Sequence, residues 1–227
     1  MTSGLKIQQK RSFHVVSVVL WGLLILGLVA SGWFLYRYFM YGDTPPGISA
    51  QAISGRNIDE TPVTPKQIDA HTVPADQPRY ISIPTLGIKN ARIFGVGVTK
   101  DNQLDAPKNI FDVAWYKKSA LPGSGQGAVL LDAHNGGVTK DGIFARLKEL
   151  KQGDTLTIER GDGKEITYRV KENVSMPLEE VNSTGMKNMM VSADSTKEGL
   201  NVITCDGKYV PRFKEYDRRI MLRAVAE

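Results

Sequence analysis

From Val15 to Tyr36 the chain reads VVSVVLWGLLILGLVASGWFLY, about 22 residues without a charge, and this run constrains the fold more than any other stretch. Hydrocarbon offers no partner for backbone N–H and C=O groups, so a single segment of this kind can cross it only as a helix, and the length matches a core of about 30 Å. Trp33, Tyr36, Tyr38 and Tyr41 crowd its far end, where an interfacial aromatic belt would lie. Lys6, Lys10 and Arg11 precede it, and Arg37 is followed by few positive charges until Arg56. That bias predicts a single-pass protein of the cell membrane, with a cytoplasmic tail over 1–14, a signal-anchor helix over 15–36 and everything after it outside the cell. A cleaved signal peptide is the competing reading. Its apolar stretch would be shorter, about 7–15 residues, although LVASG at 28–32 offers small residues for cleavage.

Residues 42–78, GDTPPGISAQAISGRNIDETPVTPKQIDAHTVPADQP, have neither a helical nor a strand period. With the preceding residues they are read as a flexible extracellular linker over 37–78, and His71 within it as a solvated side chain. The texture changes at Arg79. RYISIPTLGI alternates apolar and polar residues, ARIFGVGV follows with glycine breaks, and AVLLDA is a continuous apolar run suited to a strand buried on both faces. GIFARLKELKQGD places Ile143, Phe144, Leu147 and Leu150 on one face of about two helical turns, with Gly153 as a stop. DTLTIERGDGKEITYRV is two alternating runs around Gly-Asp-Gly, a hairpin signal, and GLNVITC and RRIMLRAV are two further strands. Seven or eight short strands with one or two short helices over 79–227 predict a mainly β domain, a barrel or a sandwich.

A net charge of +5 with mixed signs, no Lys/Arg run interleaved with aromatics, and no zinc-finger or Walker spacing point away from nucleic acid as a partner. No loop of alternating Asp and Asn suggests a Ca2+ site, and no metal or cofactor is expected.

Cys205 is the only cysteine in the chain, so it forms no disulfide within it. A lone cysteine is commonly a small core residue, but a thiol nucleophile needs a base or a nearby cation. Of the three histidines, His14 sits at the edge of the anchor and His71 in the linker, which leaves His134 as the imidazole of the folded domain. His134 ends the run AVLLDA and Cys205 ends the run NVIT, so both stand where a strand gives way to a loop. Arg218 and Arg219 open the last strand. Side chains alternate across a strand, so only one of the two can face Cys205, where its guanidinium could hold carbonyls and an oxyanion.

IPTLGI, GQGAVLLDAHNGG, GIFARLKELKQGDTLTI, ITCDG and DRRIMLRA fall in an order, covering nearly all of 79–227, that resembles the sortases, membrane-anchored cysteine transpeptidases of the bacterial cell surface. The resemblance implies an eight-stranded β-barrel of the sortase type. It implies that Cys205 attacks the carbonyl after Thr in a Leu-Pro-any-Thr-Gly sorting signal of a secreted surface protein, forming a thioester. His134 would serve as acid and base, and Arg219, or Arg218 in the alternative register, would stabilise the oxyanion. Thr204 would line the substrate site, and an amine of a peptidoglycan precursor or a pilin lysine would resolve the thioester. Ala133 stands where many sortases have Gly before the histidine. Two other readings remain: an L,D-transpeptidase-like cell-wall enzyme, whose cysteine usually follows Ser-x-Gly, and a membrane-anchored β-barrel that binds without catalysis.

Overall fold

The computed structural model describes residues 12–44, 58–100 and 102–227. An N-terminal helix, α1 (Ser12–Tyr41), contains the apolar run and extends it to Tyr41. Its 30 residues span about 45 Å. Its apolar side chains, such as Leu26 and Val29, stand exposed all round, and by length and composition it could cross a membrane. The predicted cytoplasmic tail up to residue 11 lies outside the described residues.

The domain that follows is a closed barrel of eight strands: β1 (Pro78–Ile83), β2 (Ile88–Val96), β3 (Val113–Tyr116), β4 (Ala128–Asp132), β5 (Thr155–Arg160), β6 (Glu165–Pro177), β7 (Gly199–Val210) and β8 (Glu215–Ala226). Around the barrel the order is β1-β2-β3-β4-β7-β8-β6-β5. β2/β3 and β4/β7 are parallel pairs and the others antiparallel. The crossover from β4 to β7 carries the β5–β6 hairpin and a short helical segment: Leu178–Glu180, a π turn Val181–Gly185, then Met186–Met189. The Gly161-Asp162-Gly163 turn joins β5 to β6 as the sequence signalled.

Alternation sorts the side chains into two clusters. Ile81, Ile83, Val129, Leu131, Leu156, Ile158, Tyr168, Leu200, Val202, Ile220 and Leu222 fill the barrel. Leu130, Ile203 and Met221, one residue out of step, point outward and pack beneath Val181 and Met189 of the helical segment. Asn201, fully buried, donates its amide hydrogens to the Met189 and Val191 carbonyls, both at 2.9 Å, and ties the end of that segment to β7. A wall is thereby fixed on the outside of the barrel, over the β4–β7–β8 surface.

Two expectations change. The two-turn helix predicted after Gly142 is a chain of turns ending in a single 3-10 turn, Leu147–Glu149. Phe144, Leu147 and Leu150 are buried as predicted, but the Ile143 and Phe144 amides are drawn to the Ile110 and His134 carbonyls at 2.8 and 3.1 Å, which holds the first turn out of helical register. The second change concerns the linker. Residues 45–57 lie outside the described residues, but 58–77 lie against the barrel. They include a five-residue helix, α2 (Pro65–Asp69), started by Pro at its first turn and by a reciprocal Thr64–Gln67 capping box. Tyr80 donates its hydroxyl to the Ile68 carbonyl. His71 bonds the Ile93 carbonyl through Nε2 at 2.9 Å, with its ring centroid 4.6 Å from Phe94 and 5.7 Å from Tyr80. A histidine read as solvated is therefore a packing residue, held below its ordinary pKa chiefly by desolvation.

Candidate active site

β7 delivers Cys205, and its register decides where the thiol points. Ile203 pairs with Met221, Thr204 with Ile220 and Cys205 with Arg219. The first pair belongs to the outer cluster and Ile220 to the barrel core, so alternation puts Cys205 and Arg219 on the outer face. Cys205 is partly exposed. Asp132, paired with Ile203 across the β4–β7 ladder, lies on the same face. Gly207 follows at a φ of +77°, and a Cβ there would stand 2.1 Å from an Asp217 carboxylate oxygen. Glycine lets the strand kink directly after the thiol, where the ladder register shifts between Asp206 and Tyr209.

Cys205, His134, Arg219 and Asp132 line one cleft of about 470 Å³. One wall is the loop around Thr99–Ala106, and the other is the helical segment, through Leu178, Val181, Asn182 and Met186. A second cleft, about 270 Å³, is lined by Asn135, Asp141, Arg146, Lys148, Asp206 and Tyr216 among others, and also reaches Cys205. The thiol thus borders two openings, one shared with His134 and Arg219 and one not.

Arg219 is held by the strand that carries it, and His134 by a loop from elsewhere in the chain. Arg219 donates through Nη1 to the Tyr216 and Arg218 carbonyls at 3.1 and 2.9 Å, and its Nη2 lies 2.8 Å from the Glu215 carboxylate. Its side chain is 13% exposed, so the fork has a fixed direction while remaining open to the cleft. Arg218 faces away. Its Nε donates to the Ser175 hydroxyl at 2.7 Å, Nη2 donates to the Ser175 carbonyl at 2.6 Å, and that hydroxyl donates to Asp206 at 2.6 Å. His134 Nε2 stands 2.7 Å from the Pro107 carbonyl. A carbonyl can only accept, so Nε2 carries the proton, and in the neutral ring Nδ1 keeps the lone pair. Gly142 closes on this residue from behind, since a Cβ there would lie 2.3 Å from the His134 carbonyl oxygen.

Thr204 borders the second cleft, but its hydroxyl is committed. It is 1% exposed and donates to the Ala133 carbonyl at 2.7 Å, clasping the strand end next to His134. Two acids that the sequence reading did not single out belong to the site. Glu215 is the ion partner of Arg219. The Asp132 carboxyl is pushed up to about 7, first by desolvation, against the pull of the Arg219 charge and with a further push from Glu215. The signal for Asp132 was its place in LLDAH, two residues before the histidine and so on the same side of the extended chain.

A family model described as a sortase domain matches residues 81–227. The structure is similar to that of sortase C from Streptococcus pneumoniae, with 16% identity, coverage of 86% of each chain and a TM-score of 0.50. It is similar also to sortase C1 from Streptococcus agalactiae, with 17% identity, coverage of 73% of this chain and 77% of that one, and a TM-score of 0.50. At these identities the likeness speaks for the fold. No curated protein matches the chain in sequence.

Proposed function

The chain belongs to the sortase family, and from that premise we propose that it is a membrane-anchored transpeptidase using Cys205 as nucleophile, His134 as acid and base, and Arg219 as oxyanion and substrate-backbone holder. The observation that carries this reading is the convergence of those three side chains, from three different stretches of sequence, on one cleft.

The sorting signal, Leu-Pro-any-Thr-Gly or a relative of it, lies in the cleft with its Thr carbonyl over the thiol. The Cys205 thiol passes its proton to His134 Nδ1, and the thiolate attacks that carbonyl, whose oxygen gains a negative charge that Arg219 stabilises. As the tetrahedral intermediate collapses, the C–N bond breaks and His134 gives its proton to the departing amine, leaving a thioester on Cys205. An acceptor amine, of a peptidoglycan precursor or a pilin lysine, then loses its proton to His134 and attacks the thioester. The new amide forms and the thiolate leaves. Arg219 is better suited to the oxyanion than Arg218, whose guanidinium is engaged with Ser175 on the far side of the strand. With α1 in the membrane, the barrel would work at the outer surface, where secreted substrates emerge.

The test is the full chain in detergent micelles with a fluorogenic Leu-Pro-Glu-Thr-Gly peptide and triglycine, read by mass spectrometry. Cleavage after Thr, a triglycine-ligated product, and loss of both in Cys205→Ala and His134→Ala support the reading. Turnover that survives Cys205→Ala sinks it, as does a failure of Cys205 to acylate across a panel of sorting peptides.

A further inference from the structure

Residues 59–61, between α1 and the barrel, reach the surroundings of His134. Residues 59–61 join the loop that carries Pro107. The Asp59 amide donates to the Lys108 carbonyl at 3.2 Å, and the Ile110 amide donates back to the Asp59 carbonyl at 3.0 Å. Asn109, 7% exposed, donates its side-chain amide to the Thr61 carbonyl at 2.9 Å. The Pro107 carbonyl is the acceptor for His134 Nε2, so the loop that 59–61 hold is the loop that sets the imidazole proton.

The same few residues grip the other side of the histidine. The Glu60 carboxylate accepts from the Val138 amide, from the Thr139 amide at 3.1 Å and from the Thr139 hydroxyl, while Lys140 Nζ donates to the Glu60 carbonyl at 3.1 Å. The turn 137–140 begins three residues after His134 and is closed onto it by the Gly142 amide on the Asn135 carbonyl (3.0 Å) and the Phe144 amide on the His134 carbonyl (3.1 Å). No residue of 58–77 lines the cleft. Their reach is to the supports of the histidine, not to the substrate.

We propose that Glu60, with the strand-like segment 59–61 around it, is a positioning residue for the reaction, clamping the two loops that fix the orientation and tautomer of His134. The inference rests on the transpeptidase reading for its catalytic consequence but not for its structural one. Glu60 sits below its ordinary carboxylate pKa because of those hydrogen bonds, Thr139 foremost, so it stays ionised through any assay between about pH 5 and 9. A change in the pH profile of a Glu60 variant therefore reports on another group. The clamp also lies just beyond residues 45–57, so the path from the membrane anchor to the catalytic domain passes directly through it.

The test compares the full chain with Glu60→Ala and Glu60→Gln in micelles. Two readouts are taken: kcat and KM for the sorting peptide across pH 5–9, and the titration of the His134 ring by NMR in histidine-labelled protein. With only three histidines in the chain, His134→Gln assigns the signal. Glu198→Gln, chosen because Glu198 serves the opposite end of β7, is the control for general destabilisation. The expected result is a fall in kcat of about tenfold for Glu60→Ala with KM within twofold, since small misplacements of a catalytic group are costly. A shifted His134 titration should accompany it. Glu60→Gln, which keeps one acceptor oxygen, should recover part of both. The inference is overturned if His134 titrates as in the wild type, or if Glu198→Gln at a matched fall in Tm loses as much kcat. A wild-type chain that turns over no sorting peptide, yet whose His134 titration moves with Glu60, would overturn the catalytic reading and leave the clamp standing.

Discussion

Cys205 and Arg219 are direct cross-strand partners, opposite one another on the outer face of the β7–β8 ladder. In an antiparallel pair such neighbours have Cβ atoms about 4.5–5.5 Å apart, so thiol and guanidinium share one patch of surface with no loop between them. In the proposed reaction, a carbonyl attacked by the thiol develops its charge beside that guanidinium. Arg219→Ala should therefore lower kcat/KM by about 10²–10³-fold, the usual cost of an oxyanion donor. Arg219→Lys should recover only part, because an ammonium lacks the paired donors. Arg218→Ala should stay within about threefold, a contrast that peptide-cleavage kinetics on the two alanine variants would check, and equal losses would refute the register.

Thr204 makes a second, subtler contribution. Its buried hydroxyl is donated to the Ala133 carbonyl, one residue from His134. Thr204→Val keeps the volume and leaves that carbonyl without its partner, at a cost of about 1–3 kcal/mol. The expected outcome is a lower Tm and a fall in kcat of about tenfold with KM little changed, while Thr204→Ser, which keeps the donor, should lose little of either. Peptide recognition by the hydroxyl itself would show instead as a raised KM.

Most of the barrel was legible because a half-buried strand writes its alternation into the sequence, and the Gly-Asp-Gly turn and the apolar run leading to His134 lie where the sequence put them; Cys205, expected at a strand end, instead lies within β7, which continues to Val210 and pairs on past it with β8. The parallel pairing of β2 with β3 and of β4 with β7 was not legible, since register between distant strands depends on packing across the whole barrel. Residues 58–77 looked like a tether because their hydrogen bonds are made to other loops rather than within a periodic element. The Thr-Pro-Lys-Gln start of α2 was nonetheless a readable capping box. The place of Asp132 in LLDAH put it on the side of His134, but not beside Arg219, because β8 reaches it only across β7 in the closed barrel.

Glu198 tests what holds the far end of the barrel. It is 2% exposed and accepts from the Gly123 and Gly125 amides at 2.9 and 2.8 Å, from the Ser124 hydroxyl at 3.1 Å and from Tyr168. Burial and this contact push the Tyr168 hydroxyl well above its ordinary pKa, so it remains a donor at any working pH. Glu198→Ala takes the acceptor from the Gly123 and Gly125 amides and the Tyr168 hydroxyl at once, while the Ser124 hydroxyl keeps the Gln126 carbonyl at 3.0 Å, and should cost about 3 kcal/mol or more, by denaturant unfolding, with Glu198→Gln milder. A loss under about 1 kcal/mol for the alanine variant would mean that water replaces the carboxylate freely.

Asp132 and His71 should give the stability profile two opposing slopes. Asp132 rises from 3.8 to about 7 on folding, so between those values the native state holds a proton that the unfolded chain has released. Stability then falls as pH rises through about 4 to 7, and Asp132→Asn should remove that fall. His71 is lowered from 6.5 by burial between Tyr80 and Phe94, beside Arg92, Asp112 and Arg79. Below pH 6.5 the unfolded chain takes up a proton that the native state refuses, so stability falls as pH drops, and His71→Phe should flatten that limb while losing the bond to Ile93. In the wild type the two partly cancel between about pH 4 and 6.5. Unfolding midpoints measured at half-unit steps from pH 4 to 8 should therefore tilt in opposite directions in the two variants: more stable toward acid with His71 gone, relative to the wild type, and more stable toward neutral pH with Asp132 gone. Parallel curves in all three proteins would mean that neither group is desolvated as its surroundings imply.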